Sequence, residues 1–521
     1  MNRLFLYSGL LFILILIFDA YDRDYNHTQI NQATSQDSNA PKLLVQPPVD
    51  GAVNSIESEK IIIKNRKVDI LESNKLLIKY DVITGEILFA ELKDYSKDLG
   101  SDENITILDY ETKKYTAASS IQILDIDMQP FFTQDSKGGQ TKVSLKASNI
   151  PGITILKNIE LIDDSHQIVV TNIVENKSSD VISARNYETI SRDNNSAASI
   201  MLPTYTGSAF YDEENKFSKL SFDDIYENKQ TIKTKDSWIS MIEHYFFSAW
   251  LPTNSKQKII YTNYDNNIYT IGSSSSYYLI KDGESETFKS LMFVGPKLQS
   301  EISNLTEGLD LTVDYGILTF LSAPLFWILD TINYIFGNWG LSIIILTILI
   351  KAIFFKLSES SYRSMAQMKK LNPRMQALKE RYAEDKKKFS EALMRMYKEE
   401  KVNPLGGCLP ILIQIPVFIA LYWVLVESIE IRHAPFFGWI HDLSSADPYF
   451  ILPIAMGISM YIQQKLNPAP TDPTQQKIFM FLPFIFTALF ATFPSGLVLY
   501  WLTNNVLSIA QQYVINKRIV G

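Results

Sequence analysis

The hydrophobic positions along the chain fall into two rhythms. From Ile61 to about Leu298 they come as short β-type runs, such as Ile61-Ile62-Ile63, Leu76-Leu77-Ile78, Ile168-Val169-Val170 and Ile259-Ile260-Tyr261-Thr262. Turn dipeptides such as Thr84-Gly85 and Asp282-Gly283 separate some of them, the pattern of strands in an antiparallel sheet. They predict one large all-β domain over residues 59–309, within the size of a single β sandwich. Further on, the apolar positions merge into long stretches: Leu341 to Leu357, Leu405 to Val426, Tyr449 to Ile462, Ile478 to Phe493 and Leu497 to Ile515. Such stretches read as membrane-spanning helices. Pro453 and Pro483 are compatible with that reading, because neighbouring helices satisfy the backbone groups a proline frees. A further apolar run, Leu4 to Phe18, follows the basic start Met1-Asn2-Arg3 and is not followed by a small-x-small cleavage site. It predicts an uncleaved signal anchor over residues 1–20. Residues 21–58 are polar and predict a disordered tether. Leu311, Tyr315, Leu318, Leu321, Leu325, Ile328 and Ile332 recur at helical spacing in residues 310–336, around Pro324. They predict an amphipathic helix, lying on the membrane surface or packed on the β domain.

Charge assigns the sides. Between Lys356 and Lys401 there are 13 Lys/Arg against 7 Asp/Glu, so residues 358–404 belong in the cytoplasm by the positive-inside rule. The basic loop 465–477 and the tail 516–521 fall on that same side of a six-span chain, whereas the acidic loop 429–447 and the β domain fall outside. The spans after the anchor are then 337–357, 405–428, 448–464, 478–494 and 495–515, with both termini cytoplasmic. Inside the basic loop, Asn372-Pro373 reads as an N-cap followed by proline at the first helical position. Met375, Leu378 and Tyr382 form one thin apolar stripe and Phe389, Leu393, Met396 and Tyr397 another, which predicts a helical hairpin. Its charged surface suits either a docking platform or a solvated spacer.

Composition narrows the chemistry. The chain has 521 residues, a net charge of -8 and a single cysteine, Cys408, which excludes an intrachain disulfide and a cysteine-rich metal site. His27, His166, His244, His433 and His441 form no HExxH pair, and there is no Walker-type phosphate loop. No apolar span carries GxSxG or paired aspartates, which argues against intramembrane proteolysis. No metal, cofactor, nucleotide or catalytic residue is therefore expected. The Asp and Glu residues of the β domain, with His166 and His244, read as a solvated set whose geometry no motif fixes.

The polar residues at membrane depth are the candidate site. Lys351 lies inside an apolar span, where a charge at the helix centre costs about 2.5–3.5 kcal/mol on insertion scales. It either snorkels to the interface or faces a wet cavity between helices. Thr347 precedes it by one turn, Gln414 lies between Pro410 and Pro416, and Thr503, Asn504, Asn505 and Ser508 lie in the last span. Three helices that each bring one polar patch suggest a shared hydrophilic pocket. Interhelical glue at about 0.6 kcal/mol per bond is the plainer reading, but glue does not call for a lysine.

Several stretches resemble the YidC-type bacterial inner-membrane insertases. They are Val402-Asn403-Pro404-Leu405-Gly406-Gly407-Cys408 with Gln414 and Pro416, Ile440-His441-Asp442-Leu443, and Asp447-Pro448-Tyr449 with Ile451-Leu452-Pro453. Asp472-Pro473 with Gln475-Gln476-Lys477, and Phe493-Pro494-Ser495-Gly496-Leu497, match as well; Tyr245-Phe246 with Ala249-Trp250 and Pro252 looks like the end of that family's periplasmic domain. The resemblance implies a five-helix core, a signal anchor and a periplasmic β-supersandwich. It implies insertion of nascent membrane proteins through a groove, alone or beside the Sec translocon, with membrane lipids around it and ribosome or targeting factors at the hairpin. Where such relatives carry a groove arginine this chain has Lys351, which keeps the charge and loses bidentate contact. Tyr422, Tyr500 and Trp501 look like the family's substrate-contacting aromatics, with interhelical packing as the alternative role. Two other readings compete: a small-solute transporter, for which no inverted repeat is found among the spans, and a carbohydrate-binding or isomerase role for the β domain.

Overall fold

The computed structural model of the chain describes residues 66–195, 204–253, 257–382, 385–400, 402, 409–467 and 473–520. The expected anchor and tether, and the Asn403 to Cys408 motif, lie outside the described residues. The chain divides into two compact units, one ending at Val313 and one beginning at Asp314.

Among the described residues, the first unit holds a ten-stranded and a nine-stranded sheet whose strands pair antiparallel. Alternation builds them. In strand Ile153–Leu161 the residues Ile153, Ile155, Ile159 and Leu161 are buried and their neighbours half-exposed; Gln167–Asn176 repeats the pattern with Ile168, Val170 and Val174. Period two sends each set to one face. Large fully buried side chains, among them Trp238, Trp250, Phe210, Phe247 and Phe293, fill the core. Polar residues also occupy inward positions: Lys157 lies opposite Asn172 in the ladder. Asn172 Nδ2 donates to Ser119 Oγ at 3.0 Å and to Asn186 Oδ1 at 3.1 Å on the other sheet.

The solvated-surface expectation fails for several residues of this unit, Glu188 and His166 among them. Glu188 is 3% exposed. It accepts from Lys258 Nζ at 2.9 Å, from Ser273 Oγ at 2.6 Å and, across the sandwich, from Ser290 Oγ at 2.8 Å. His166 is 1% exposed, with its ring nitrogens 3.4 Å from Asp94 and 3.0 Å from Glu301. Burial opposes a charge on this imidazole, but the hydrogen bonds and charges of the two carboxylates outweigh it and raise its pKa. A buried carboxylate survives only when paired and hydrogen-bonded, and strand alternation alone does not reveal that pairing.

The second unit is helical: α1 (Thr319–Phe336), α2 (Trp339–Ile353), α3 (Phe355–Lys370), α4 (Asn372–Arg381), α5 (Lys386–Glu399), α6 (Leu409–Glu427), α7 (Ile451–Leu466), α8 (Pro473–Phe490) and α9 (Ser495–Val520). α1 starts nine residues later than the expected 310, because Leu309–Thr312 and Gly316–Leu318 are 3-10 turns; Pro324 sits within it without ending it. It is also apolar on both sides, burying Leu325, Phe326, Leu329 and Ile332 while exposing Phe320, Trp327, Tyr334 and Ile335. Among the described residues, Gly316–Phe336 is the one continuous helical stretch long and apolar enough to cross a membrane, with mean hydropathy 1.3. Gly337, at φ 64°, closes α1, and the Asn338 side chain opens α2 by accepting from Leu341 N at 2.8 Å.

The span expected over 337–357 breaks at Phe354, where α2 and α3 meet at 69°. Asn372 does not cap: the chain reaches Leu371 still in helical conformation, so Asn372 is the first residue of α4. Asp385 caps α5 instead, accepting from Lys388 N at 3.0 Å. α4 and α5 pair, with Arg374 bound to Glu400 and the Tyr397 hydroxyl 3.8 Å from Met375 Sδ. The loop before α7 is held by two carboxylates. Asp442 accepts from His433 N and Ser444 N, and buried Asp447 accepts from Trp439 Nε1 at 2.9 Å and Leu452 N at 2.7 Å.

Candidate functional site

α9 packs against α2, α3 and α7, and its inward face meets the polar residues of α2 and α6. Lys351, near the last turn of α2, is 7% exposed and points into this unit. Its Nζ donates to Ser508 Oγ at 2.7 Å and to Gln414 Oε1 at 3.5 Å. Gln414 Nε2 donates to Asn504 Oδ1, and Ser508 Oγ donates to the Asn504 carbonyl at 2.7 Å. One cation from α2 thus sits in a circuit of neutral groups from α6 and α9. Among the described residues no carboxylate pairs with it. An ammonium has three donors, and these bonds use two.

Thr347 and Asn505 are not part of the circuit. The Thr347 hydroxyl donates to the Ile343 carbonyl of its own helix at 2.6 Å, and Asn505 Nδ2 donates to Ser459 Oγ on α7 at 3.0 Å. Successive helical residues project about 100° apart, so Asn504 and Asn505 cannot share one face. Ser508 does join, one turn below Asn504, and Tyr362 of α3 reaches it from beneath. The four-residue spacing from Asn504 was the signal for Ser508.

The aromatic candidates lie in different surroundings. Tyr500, one turn above Asn504, is buried and stacks on Phe418 at 6.1 Å between ring centres. Its hydroxyl is buried beside the Gln414 side chain. Half-buried Trp501 wedges among Phe418, Phe490 and Phe486 at 4.7, 5.2 and 6.2 Å. Tyr422 is half-buried with its edge on Trp423 at 5.4 Å.

This arrangement offers a cation solvated by one amide and one hydroxyl, with one donor direction left for an acceptor, beside a row of aromatic rings. It suits transient attraction of a carboxylate or a peptide carbonyl.

Known proteins match both units. The model of the 60Kd inner membrane protein family matches residues 331–521, and that of the YidC periplasmic domain matches residues 71–328. A membrane protein insertase YidC of Methylobacillus flagellatus is 40% identical, covering 99% of this chain and 97% of its own length. The one from Haemophilus influenzae is 39% identical over the same shares. An active YidC insertase crystal structure is similar at a TM-score of 0.39 and 18% identity, covering 88% of this chain and 98% of that one. With family models over both units and relatives about 40% identical from end to end, the chain belongs to the YidC family of membrane protein insertases, inner-membrane proteins with a periplasmic β-sandwich domain.

Proposed function

We propose that this protein inserts nascent membrane proteins through a hydrophilic groove centred on Lys351, Gln414 and Asn504, with Ser508 as its floor. The observation that carries the reading is the inward-facing cation held, among the described residues, by neutral groups. The cost of burying it is consistent with a charge kept for a visiting anion rather than for a resident partner. In this reading the acidic or polar outer segment of the substrate is drawn to Lys351. Its apolar helix then moves past Tyr500, Trp501 and Tyr422 into lipid, driven by about 25 cal/mol per Å² of apolar surface removed from water. Trp501 acts from within its cage of phenylalanines, presenting one edge to the passing helix.

The proposed topology has six spans, counting the N-terminal anchor. The β unit is periplasmic, and α4 and α5 form a cytoplasmic hairpin that docks the ribosome or targeting factors. The helix α1 lies at the membrane interface on this reading; its two apolar faces equally suit deeper immersion. The protein works alone or beside the Sec translocon, and the β domain performs no catalysis. Expression of Lys351→Ala and Lys351→Arg in a strain depleted of its own insertase tests the reading. Arginine should support growth and alanine should not; full rescue by alanine removes the charge from the mechanism.

A further inference from the structure

The pair α4 and α5 encloses an open cleft of about 660 Å³ that the Lys351 site does not use. Its floor is apolar: Ala377 and Leu378 from α4, Ala392 and Met396 from α5. Four cations stand on its rim, Arg374 and Arg381 from α4 and Lys388 and Arg395 from α5, with Glu391 and Glu399 among them. Arg374, Ala377, Leu378 and Arg381 follow the spacing i, i+3, i+4 and i+7, and Lys388, Glu391, Ala392 and Arg395 repeat it. Each set therefore lies on one helix face. The Arg374–Glu400 bond runs the two helices antiparallel, which sets Arg374 toward the end of α5 that carries Arg395, and Arg381 toward the end that carries Lys388.

Packing and charge are both incomplete there. α4 has 10 residues and buries none of them, and α5 has 14. Helices this short are marginal in water and take their stability from tertiary packing of an apolar face. On the rim, Arg374 is bound to Glu400, and Lys388 lies 3.2 Å from Asp385. Arg381 and Arg395 are exposed and have no ion pair among the described residues.

We infer that the α4–α5 cleft takes a third helix, an acidic amphipathic one supplied by a partner protein. This rests on the reading of the hairpin as a docking element. The mode is a helix laid in a groove, with apolar anchors one turn apart. Ala377 and Ala392 are small, so the floor has room for two large apolar side chains of the visitor. The cations on each helix are seven residues apart, about 10.5 Å at 1.5 Å per residue. A visiting helix meets them with two acids at that same spacing, one on each side of its apolar pair. The pattern it should carry is acid-x-x-apolar-apolar-x-x-acid, the charge complement of Arg374-x-x-Ala377-Leu378-x-x-Arg381. A nucleic-acid backbone fits less well, because phosphates gain nothing from an apolar floor and are repelled by Glu391 and Glu399.

The test uses the full chain in lipid nanodiscs and a fluorescent helical peptide of about four turns that carries two leucines between two glutamates in that pattern. Its controls are an isomer of the same composition with the leucines moved to another face, a form with lysines in place of the glutamates, and a single-stranded RNA. Fluorescence anisotropy should show saturable binding of the first peptide and of none of the controls. Arg381→Glu with Arg395→Glu, both at exposed positions, should weaken it by about tenfold and shift the preference to the lysine peptide, since attraction becomes repulsion. Ala377→Trp fills the cleft, keeps every charge and should weaken both peptides. Four results overturn the third helix: no saturable binding, an isomer that binds as tightly, RNA bound in place of the peptide, or variants that bind as the unaltered chain does. Translation-coupled insertion by the charge variant then separates this inference from the docking reading beneath it. Peptide binding lost with insertion unchanged keeps the cleft and removes the docking role. Peptide binding unchanged with insertion lowered keeps docking and sinks the third helix.

Discussion

Replacing Lys351 with methionine removes one charge and nearly preserves the side chain's volume. The ammonium is solvated by Ser508 and Gln414 and by no carboxylate among the described residues, so its attraction for a visiting acid is not already spent. Two unit charges 4 Å apart attract by about 4 kcal/mol at an effective dielectric near 20. Stripping water from the substrate's carboxylate takes back a few kcal/mol. A net of about 1–2 kcal/mol per acidic residue remains, a factor of roughly 5–30. The assay is insertion yield in proteoliposomes for substrates with no, one or two aspartates in the hydrophilic segment. Lys351→Met should lower the yield of the one-aspartate substrate by that factor and leave the neutral one unchanged. Lys351→Arg should retain most of it, since attraction to a point charge does not need a bidentate fork. Equal losses for the neutral and acidic substrates would refute the electrostatic argument and reduce Lys351 to a packing residue.

Gln414→Leu removes both an acceptor of the Lys351 ammonium and a donor to Asn504. With bonds to charged groups worth about 1.5–3 kcal/mol, insertion of acidic substrates should fall by roughly 10- to 150-fold, read in the same assay. In the β domain, Lys258→Met leaves Glu188 buried without its counter-charge and should cost about 3–5 kcal/mol. Urea unfolding followed by tryptophan fluorescence reports it, and the further change Glu188→Leu should restore much of the loss. Burial lowers the Lys157 amine to about 7, with Thr84 O as its hydrogen-bond partner at 3.2 Å. Between pH 7 and its ordinary value of 10.5, the unfolded chain therefore holds a proton that the folded domain does not. Stability should rise with pH across that window by up to about 1.4 kcal/mol per unit, and Lys157→Met should flatten the rise.

Much of the site was legible because a lysine or an amide stands out in an apolar run. Lys351, Gln414 and Asn504 needed no geometry to be noticed, and the structure joins them. Direction was less legible. Thr347 satisfies itself on its own helix, and Asn505 faces α7 because adjacent positions point a quarter-turn or more apart. The break at Phe354 was hidden, since the apolar run continues through Phe355 and Leu357. In the β domain, alternation announced the sandwich but not its polar interior. Glu188, Lys258 and Asn172 sit on strands beside half-exposed neighbours, and only their side-chain pairing shows them to be core residues.

The central claim, that Lys351 faces the substrate from inside a groove, is tested most directly by site-specific crosslinking. A photoreactive residue is placed in turn at 351, 414 and 504 and exposed to a nascent chain stalled part-way through insertion. The account predicts adducts from all three positions to the hydrophilic segment of that chain, with none to lipid from 351. Lipid adducts at 351, and no contact with the nascent chain from 414 or 504, would contradict it.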